Sequence, residues 1–210
     1  MIFTIEGNVG AGKTSILKIL ESESFMYPHK IYYEPVDEWM KFKLDKDGKS
    51  LFEMFYEDRQ KYGFVFQMMA LHTRYQNMIK AMEEDPHTIV FCERSFLTDY
   101  EIFAKLNNEQ GNITDMELHV YKTWHSYFVK TLNTRIKGIV YLNTHPSTCK
   151  ERIQKRNRAG EEDFSEEYLL QLHQKHEEWL KNQTLAPCLH INGNSEELVK
   201  SIKSFVESVI

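Results

Sequence analysis

Cysteine is scarce in this sequence: three residues in 210, Cys92, Cys149 and Cys188. Their number is odd and their spacing fits no zinc motif. A disulfide framework is therefore not expected, and the three read as reduced thiols of a cytosol-like compartment. A basic excess is missing too. The chain has 26 Lys and Arg against 31 Asp and Glu, a net charge of −5. Proteins that bind nucleic acid carry surplus cations for the phosphates, so no nucleic-acid partner is expected. No apolar run nears the roughly 20 residues of a membrane helix, so no membrane partner is expected either. "MIFTIE" (1–6) already reads as a buried strand, which leaves no room for a secretory or transit segment. A cytoplasmic location follows as the expectation. Internal repeats and low-complexity stretches are absent. Hydrophobic residues at 41% and charged residues at 27% suit one globular domain over 1–210, with room for a small lid.

Short apolar runs alternate with helical patterns. "IFTIE" (2–6), "KIYYE" (30–34), "TIVFC" (88–92), "GIVYL" (138–142) and "CLHI" (188–191) have strand length and β-branched or aromatic content. Helices are expected over 64–83, over 115–132 with apolar Leu118, Tyr121, Trp124 and Phe128, and from a Ser165 cap to about Asn182. Ser195 caps a last helix with a stripe at Leu198, Ile202, Phe205 and Val206. Residues 43–50 and 107–114 read as surface loops. Alternating β and α predicts an α/β fold: a five-stranded parallel sheet between helical layers, with ligands at the carboxyl ends of the strands.

Between the first strand and the helix "SILKILES" stands "GNVGAGKT" (7–14). Gly7, Gly10, Gly12, Lys13 and Thr14 fit the phosphate-loop pattern, with Asn8, Val9 and Ala11 between them. The backbone N–H groups of such a loop wrap phosphate oxygens at a helix N-terminus. Lys13 can reach the outer phosphates and Thr14 can hold Mg²⁺. No N-K-x-D segment reads guanine, so a GTPase is not indicated. The strand "TIVFC" runs into Glu93-Arg94-Ser95: a carboxylate suited to Mg²⁺, then a guanidinium suited to phosphoryl transfer.

Glu34, in "EPVDEW" (34–39), ends the second strand. It is either a solvated strand-end acid or a base that takes a proton from a hydroxyl. The basic stretch "KERIQKRNR" (150–158) reads as a nucleic-acid patch, a solvated helix face, or a lid at about 150–163. In the lid reading Arg152, Arg156 and Arg158 close over ATP phosphates, with Gly160 as a flexible exit and Ala159 and Gly160 standing before the acids Glu161 and Glu162. Gln67, Ala70 and Arg74 share one helix face, and Asp99 and Phe103 lie at i and i+4.

These stretches, together with "YEDRQKYGFVFQ" (56–67), "ERSFLTDYEIF" (93–103), "RIQKRNRAGE" (152–161) and "YLLQLHQKHEEWL" (168–180), occur in one order and spacing. That set resembles the deoxynucleoside kinase family over nearly the whole chain. The resemblance implies a three-layer P-loop kinase fold for the sheet and its helices, and transfer of the γ-phosphoryl of ATP to the 5′-hydroxyl of a deoxyribonucleoside, with Mg²⁺ as cofactor. It implies Glu34 as general base, Arg94 beside it, and Glu93 with Thr14 on the metal. Tyr56 and Glu161 would hold the 3′-hydroxyl, with Glu162 as the alternative acid. Gln67 would pair with the base edge, Phe66 and Phe103 would sandwich the ring, and Trp39 would line the pocket. A homodimer through the helices at 64–83 and 115–132 and a loop near the ATP base at "HINGN" (190–194) are further implications.

Arg74 with Asp99 resembles members that prefer deoxycytidine and deoxypurines; Met with Ala marks thymidine-preferring ones. An Arg–Asp pair also fills the space of a thymine methyl group. Deoxycytidine and deoxyadenosine are expected substrates, deoxyguanosine stays open, and thymidine is expected to be poor. Two rivals remain at this point. A thymidylate kinase would carry an Asp in its phosphate loop and an "EPGG"-like turn. A non-catalytic nucleotide switch would need neither Glu34 nor Arg94.

Overall fold

A computed structural model of the chain describes residues 1–43, 48–132, 136–158, 161, 164–192 and 195–210. Ala159, Gly160, Glu162, the Gly193-Asn194 end of "HINGN" and the Ser195 cap side chain lie outside what is described.

Five strands, β1 (Ile2–Gly7), β2 (His29–Tyr32), β3 (Ile89–Glu93), β4 (Ile136–Leu142) and β5 (Cys188–Ile191), form one sheet in the order β2-β3-β1-β4-β5. Every pairing is parallel, as the alternation of elements predicts. Such a sheet needs cover on both faces, which is why β1 and β3 are buried at every position and largely apolar, with Glu6 and Glu93 near their carboxyl ends. The chain leaves β1 for β2, returns through β3 and then crosses to β4. The carboxyl end of β1 is thus the switch point of the sheet, and the phosphate loop stands there.

The helices are α1 (Lys13–Ser22), α2 (Val36–Lys41), α3 (Leu51–Glu57), α4 (Arg59–Glu83), α5 (Phe96–Thr98), α6 (Lys105–Glu109), α7 (Asp115–Leu132), α8 (Pro146–Arg156), α9 (Glu166–Asn182) and α10 (Ser195–Val209), with a π turn over Asp99–Ala104 between α5 and α6. The long helix expected from Phe64 begins five residues earlier, at Arg59. Asp58 caps it there, its Oδ1 accepting from Lys61 N at 3.0 Å. Asp99 and Phe103 lie on the π turn rather than on a regular α-helix. The expected surface loops are only partly loops. Ser50 is fully buried and caps α3 with a capping box, and residues 44–47 lie outside the described chain. Asn107 and Ile113 are buried in the other stretch.

The main core surrounds the sheet. A smaller cluster of Val36, Trp39, Leu51, Phe52, Phe55, Phe66 and Ala70 lies beside it, built by α2, α3 and α4. On α7 Tyr121 is buried while Trp124 is exposed, so Trp124 belongs to the outer face and not to the core stripe. No helix among the described residues is long and apolar enough to cross a membrane.

Candidate active site

A cavity of about 750 Å³ opens at the carboxyl ends of β1 and β3. Its lining includes Val9, Gly10, Gly12, Lys13 and Thr14 from the loop, and Glu34 and Trp39 after β2. Tyr56, Phe66, Gln67, Ala70 and Arg74 come from α3 and α4, Glu93 from the end of β3, and Arg94, Asp99 and Phe103 from the segment after it. Arg152, Arg156, Arg158 and Glu161 close the remaining side. Gly7, Asn8 and Ala11 do not line it; they brace the loop. Asn8 Nδ2 donates to Leu169 O at 2.8 Å and its Oδ1 accepts from Val9 N at 2.8 Å. Ala11 O accepts from Thr144 Oγ1 at 3.1 Å and from Arg152 Nη1 at 2.9 Å.

Lys13 Nζ donates to Gly7 O at 3.2 Å and Asn8 O at 2.8 Å, inside its own loop. Burial, aided by the Arg94 charge, pulls its ammonium down to about 7. An anion in the loop would raise it again. Thr14 Oγ1 donates to Glu93 Oε1 at 2.8 Å, which places a hydroxyl and a carboxylate side by side at the loop. Beneath them Glu6 is fully buried and accepts from Thr98 Oγ1 at 2.6 Å; burial pushes its carboxyl up.

Glu34 lies just past the end of β2, where Pro35 follows it. Its Oε1 takes an ion pair from Arg74 Nη2 and faces Arg94 Nε at 3.7 Å. Burial works to raise its pKa, but Arg94, Arg74 and Lys13 outweigh burial and hold the carboxyl well below the usual range. It is therefore ionised at neutral pH. Arg94 has φ +63, the left-handed region that a side-chain-bearing residue rarely adopts. It is buried, and its Nε and Nη1 have no hydrogen-bond partner among the described residues.

The Arg74–Asp99 pair expected from the sequence is present through Nη1 and Oδ1. The additional partner, Glu34, was not expected: one guanidinium joins the strand-end acid to the π turn. Asp99 Oδ2 and Gln67 Oε1 are buried acceptors that nothing among the described residues satisfies. Unpaired buried polar atoms facing a cavity mark places where a polar ligand would bind. Phe66 stacks on Phe55 at 4.5 Å, and Trp39 is fixed by its Nε1 donating to Thr73 Oγ1 at 3.0 Å. Phe103 lies under both Arg74 and Arg94. Glu161 is buried, with Arg156 on Oε2 and Arg158 at 3.3 Å on Oε1. Arg152, Arg156 and Arg158 of the basic stretch thus line the cavity, while Lys155 is exposed and does not.

The sequence model of one family, described as deoxynucleoside kinase, matches residues 3–209. A deoxycytidine kinase 2 of Gallus gallus is 32% identical across 98% of this chain and 90% of its own length. A probable deoxycytidine kinase of fowlpox virus is 32% identical, with 92% and 79% covered. The mitochondrial deoxyguanosine kinase of Xenopus laevis is 30% identical, with 86% and 73% covered.

The chain belongs to the deoxynucleoside kinase family. It is accordingly a deoxynucleoside kinase enzyme, a class that takes a nucleoside and ATP. The cavity of this kinase has lining residues that sequence reasoning missed: Phe52, Phe55 and Tyr168 among the aromatics, Asp37 and Lys18 among the charges. Phe52 and Phe55 fall on α3, a helix of seven residues that is too short to announce itself by periodicity. Their one signal was Ser50 followed three residues later by Glu53, a capping box.

Proposed function

We propose that this kinase transfers the γ-phosphoryl of ATP to the 5′-hydroxyl of a deoxyribonucleoside, with deoxycytidine and deoxyadenosine preferred, deoxyguanosine admitted and thymidine poor. One observation carries the reading. Glu34, ionised and 3.7 Å from Arg94, shares a single cavity with the phosphate loop and with the unpaired acceptors Gln67 Oε1 and Asp99 Oδ2.

In this account Glu34 accepts the proton of the 5′-hydroxyl. Arg94, whose buried Nε and Nη1 have no hydrogen-bond partner among the described residues, meets the charge that develops on the transferred group. The loop N–H groups and Lys13 hold the outer phosphates, with Arg152, Arg156 and Arg158 forming a lid over about 150–163 within one domain. Mg²⁺ would be held by Thr14 and Glu93, a pair of hard oxygen donors that suits it, and would supply charge neutralisation at the β and γ oxygens. Tyr56 and Glu161 hold the 3′-hydroxyl, and a 2′-hydroxyl would crowd Tyr56. Gln67 reads the base edge, an amide offering donor and acceptor together. Phe66 and Phe103 flank the ring and Trp39 walls the pocket. Arg74 and Asp99 occupy the space that a thymine methyl group needs, and relatives named for deoxycytidine and deoxyguanosine agree with that direction.

The assembly we favour is a homodimer through α7 and α4, in the cytoplasm. Its support is a row of exposed apolar side chains on α7, Met116, Val120, Trp124 and Tyr127, with Val65 on α4.

Glu34→Gln tests the mechanism. Steady-state ADP release is expected to fall about 10²- to 10⁴-fold, while ATP binding measured by calorimetry persists. Loss of both together would make Glu34 a structural residue.

A further inference from the structure

Arg59 has no part in the mechanism above, yet its surroundings are specific. It is the first residue of α4, set by the Asp58 cap at the junction with α3. Its guanidinium lies 4.2 Å from the ring centre of Tyr168, 5.4 Å from Tyr56, 5.7 Å from Phe55 and 6.0 Å from Phe164. Among the described residues no carboxylate forms an ion pair with it, so the aromatic faces are its principal partners.

These rings come from two sides of the cavity. Phe55 and Tyr56 belong to α3, on the acceptor side. Tyr168 belongs to α9, and Phe164 lies on the segment that leads into it. Phe164 stacks on Tyr168 at 5.4 Å with the planes 4° apart, and meets Tyr56 edge-on at 5.1 Å. Phe164 N also donates to Glu161 O at 3.5 Å, which ties the cluster to the acid that faces Arg156 and Arg158. Tyr56 and Glu161 thus belong to two walls, and the Arg59 cage joins them.

We propose that Arg59 is a positioning residue for the acceptor sugar: by stacking between the two walls it fixes the spacing of Tyr56 and Glu161, and so sets the preference for a 3′-hydroxyl. This rests on the reading of Tyr56 and Glu161 as the pair that holds that hydroxyl. The physical argument is geometric. A phenol and a carboxylate bond one hydroxyl together only if their separation is held to a fraction of an ångström. A planar guanidinium stacks on flat rings in a defined plane; a lysine in its place offers a compact, strongly hydrated charge on a flexible stem.

The test uses whichever of the four deoxynucleosides the wild type turns over fastest, and its 2′,3′-dideoxy counterpart. Steady-state constants and melting temperatures are measured for the wild type, Arg59→Ala, Arg59→Lys, Tyr56→Phe and the Arg59→Ala/Tyr56→Phe double variant. In Arg59→Ala the ratio of kcat/KM for the deoxynucleoside over the dideoxynucleoside should fall about tenfold, mostly through the nucleoside KM. The KM for ATP should stay put, Arg59→Lys should be intermediate, and Arg59→Ala should lower the ratio no further in the Tyr56→Phe background. An unchanged ratio, with both substrates impaired alike or only the melting temperature lowered, would overturn the inference. So would a further, additive drop in the double variant. If Arg59→Ala does not fold, Arg59→Lys decides by the same ratio. A wild type with good turnover but no preference for the 3′-hydroxyl would instead defeat the assignment of Tyr56 and Glu161, and this inference with it. Absence of deoxynucleoside turnover would defeat the proposed reaction itself.

Discussion

Gly10 has no room for a side chain. A Cβ there would lie 2.5 Å from Cys149 O on α8, and the residue's φ is +77. Gly10→Ala should therefore push α8 off the phosphate loop and weaken ATP binding at least tenfold in a calorimetric titration; unchanged affinity would mean that the loop tolerates the shift. A second residue-scale consequence concerns acid. His176 is fully buried, stacked 5.8 Å from Tyr141, with Nδ1 at 2.6 Å from Leu172 O. Burial pulls its pKa down to about 3, and His125 is pulled to about 4 for the same reason. Both sit below the unfolded value near 6.5, so as pH falls the unfolded chain takes up protons that the folded chain refuses. Stability is full above about pH 6.5 and declines below it, by about 2 kcal/mol per such histidine at pH 5. His176→Phe should flatten the fall of the melting temperature between pH 7 and pH 5; an unchanged slope would contradict the assignment. At this scale the sequence was legible where chemistry and position coincide. Lys13 and Thr14 open α1 directly after the glycine loop, Glu93 and Arg94 stand at the end of β3, and all four line the cavity. Arg74's link to Glu34 was not legible, because no local pattern says that two residues forty positions apart share an ion pair.

Among the elements, α4 carries an interior glycine, normally a loss of about 1 kcal/mol against alanine. The structure gives the reason: a Cβ on Gly63 would stand 2.9 Å from Asn112 O, in the segment before α7. The clash of about 1–3 kcal/mol outweighs the propensity gain. Gly63→Ala should thus lower stability in urea unfolding, whereas a propensity argument alone gives the opposite sign. The elements that were readable in advance are the ones long enough to show a period. The α7 and α9 ranges match the expected ones. The start of α4 was missed because its first turn, Arg59 to Tyr62, is polar and only the Asp58 cap marks it. The π turn at Asp99–Ala104 has the same residue types as an α-helix, so composition could not announce it.

For the molecule as a whole, the sheet order decides where the site can be. With β1 central and β3 and β4 on either side, the ends of β1 and β3 bring the loop, Glu93 and Arg94 together, and β2 delivers Glu34 from the edge. The parallel sheet and a site at its strand ends were readable from the alternation of strands and helices; the topology came only with the family resemblance, because alternation does not say which strands are neighbours. The outer face of α7 was readable only in part: Leu118, Tyr121, Trp124 and Phe128 stood out as apolar residues, but periodicity does not say which of them meets the core, and Tyr121 is buried while Trp124 is exposed. If that face is the dimer contact, Trp124→Glu should give a monomer by light scattering while leaving the fold intact, and an unchanged dimer would place the contact elsewhere. The central claim is the acceptor, and an ADP-release assay addresses it most directly. The protein would meet Mg-ATP with deoxycytidine, deoxyadenosine, deoxyguanosine, thymidine and thymidine monophosphate in turn. The account requires turnover on deoxycytidine or deoxyadenosine and little on thymidine; turnover on the monophosphate alone, or on none of the five, would contradict it.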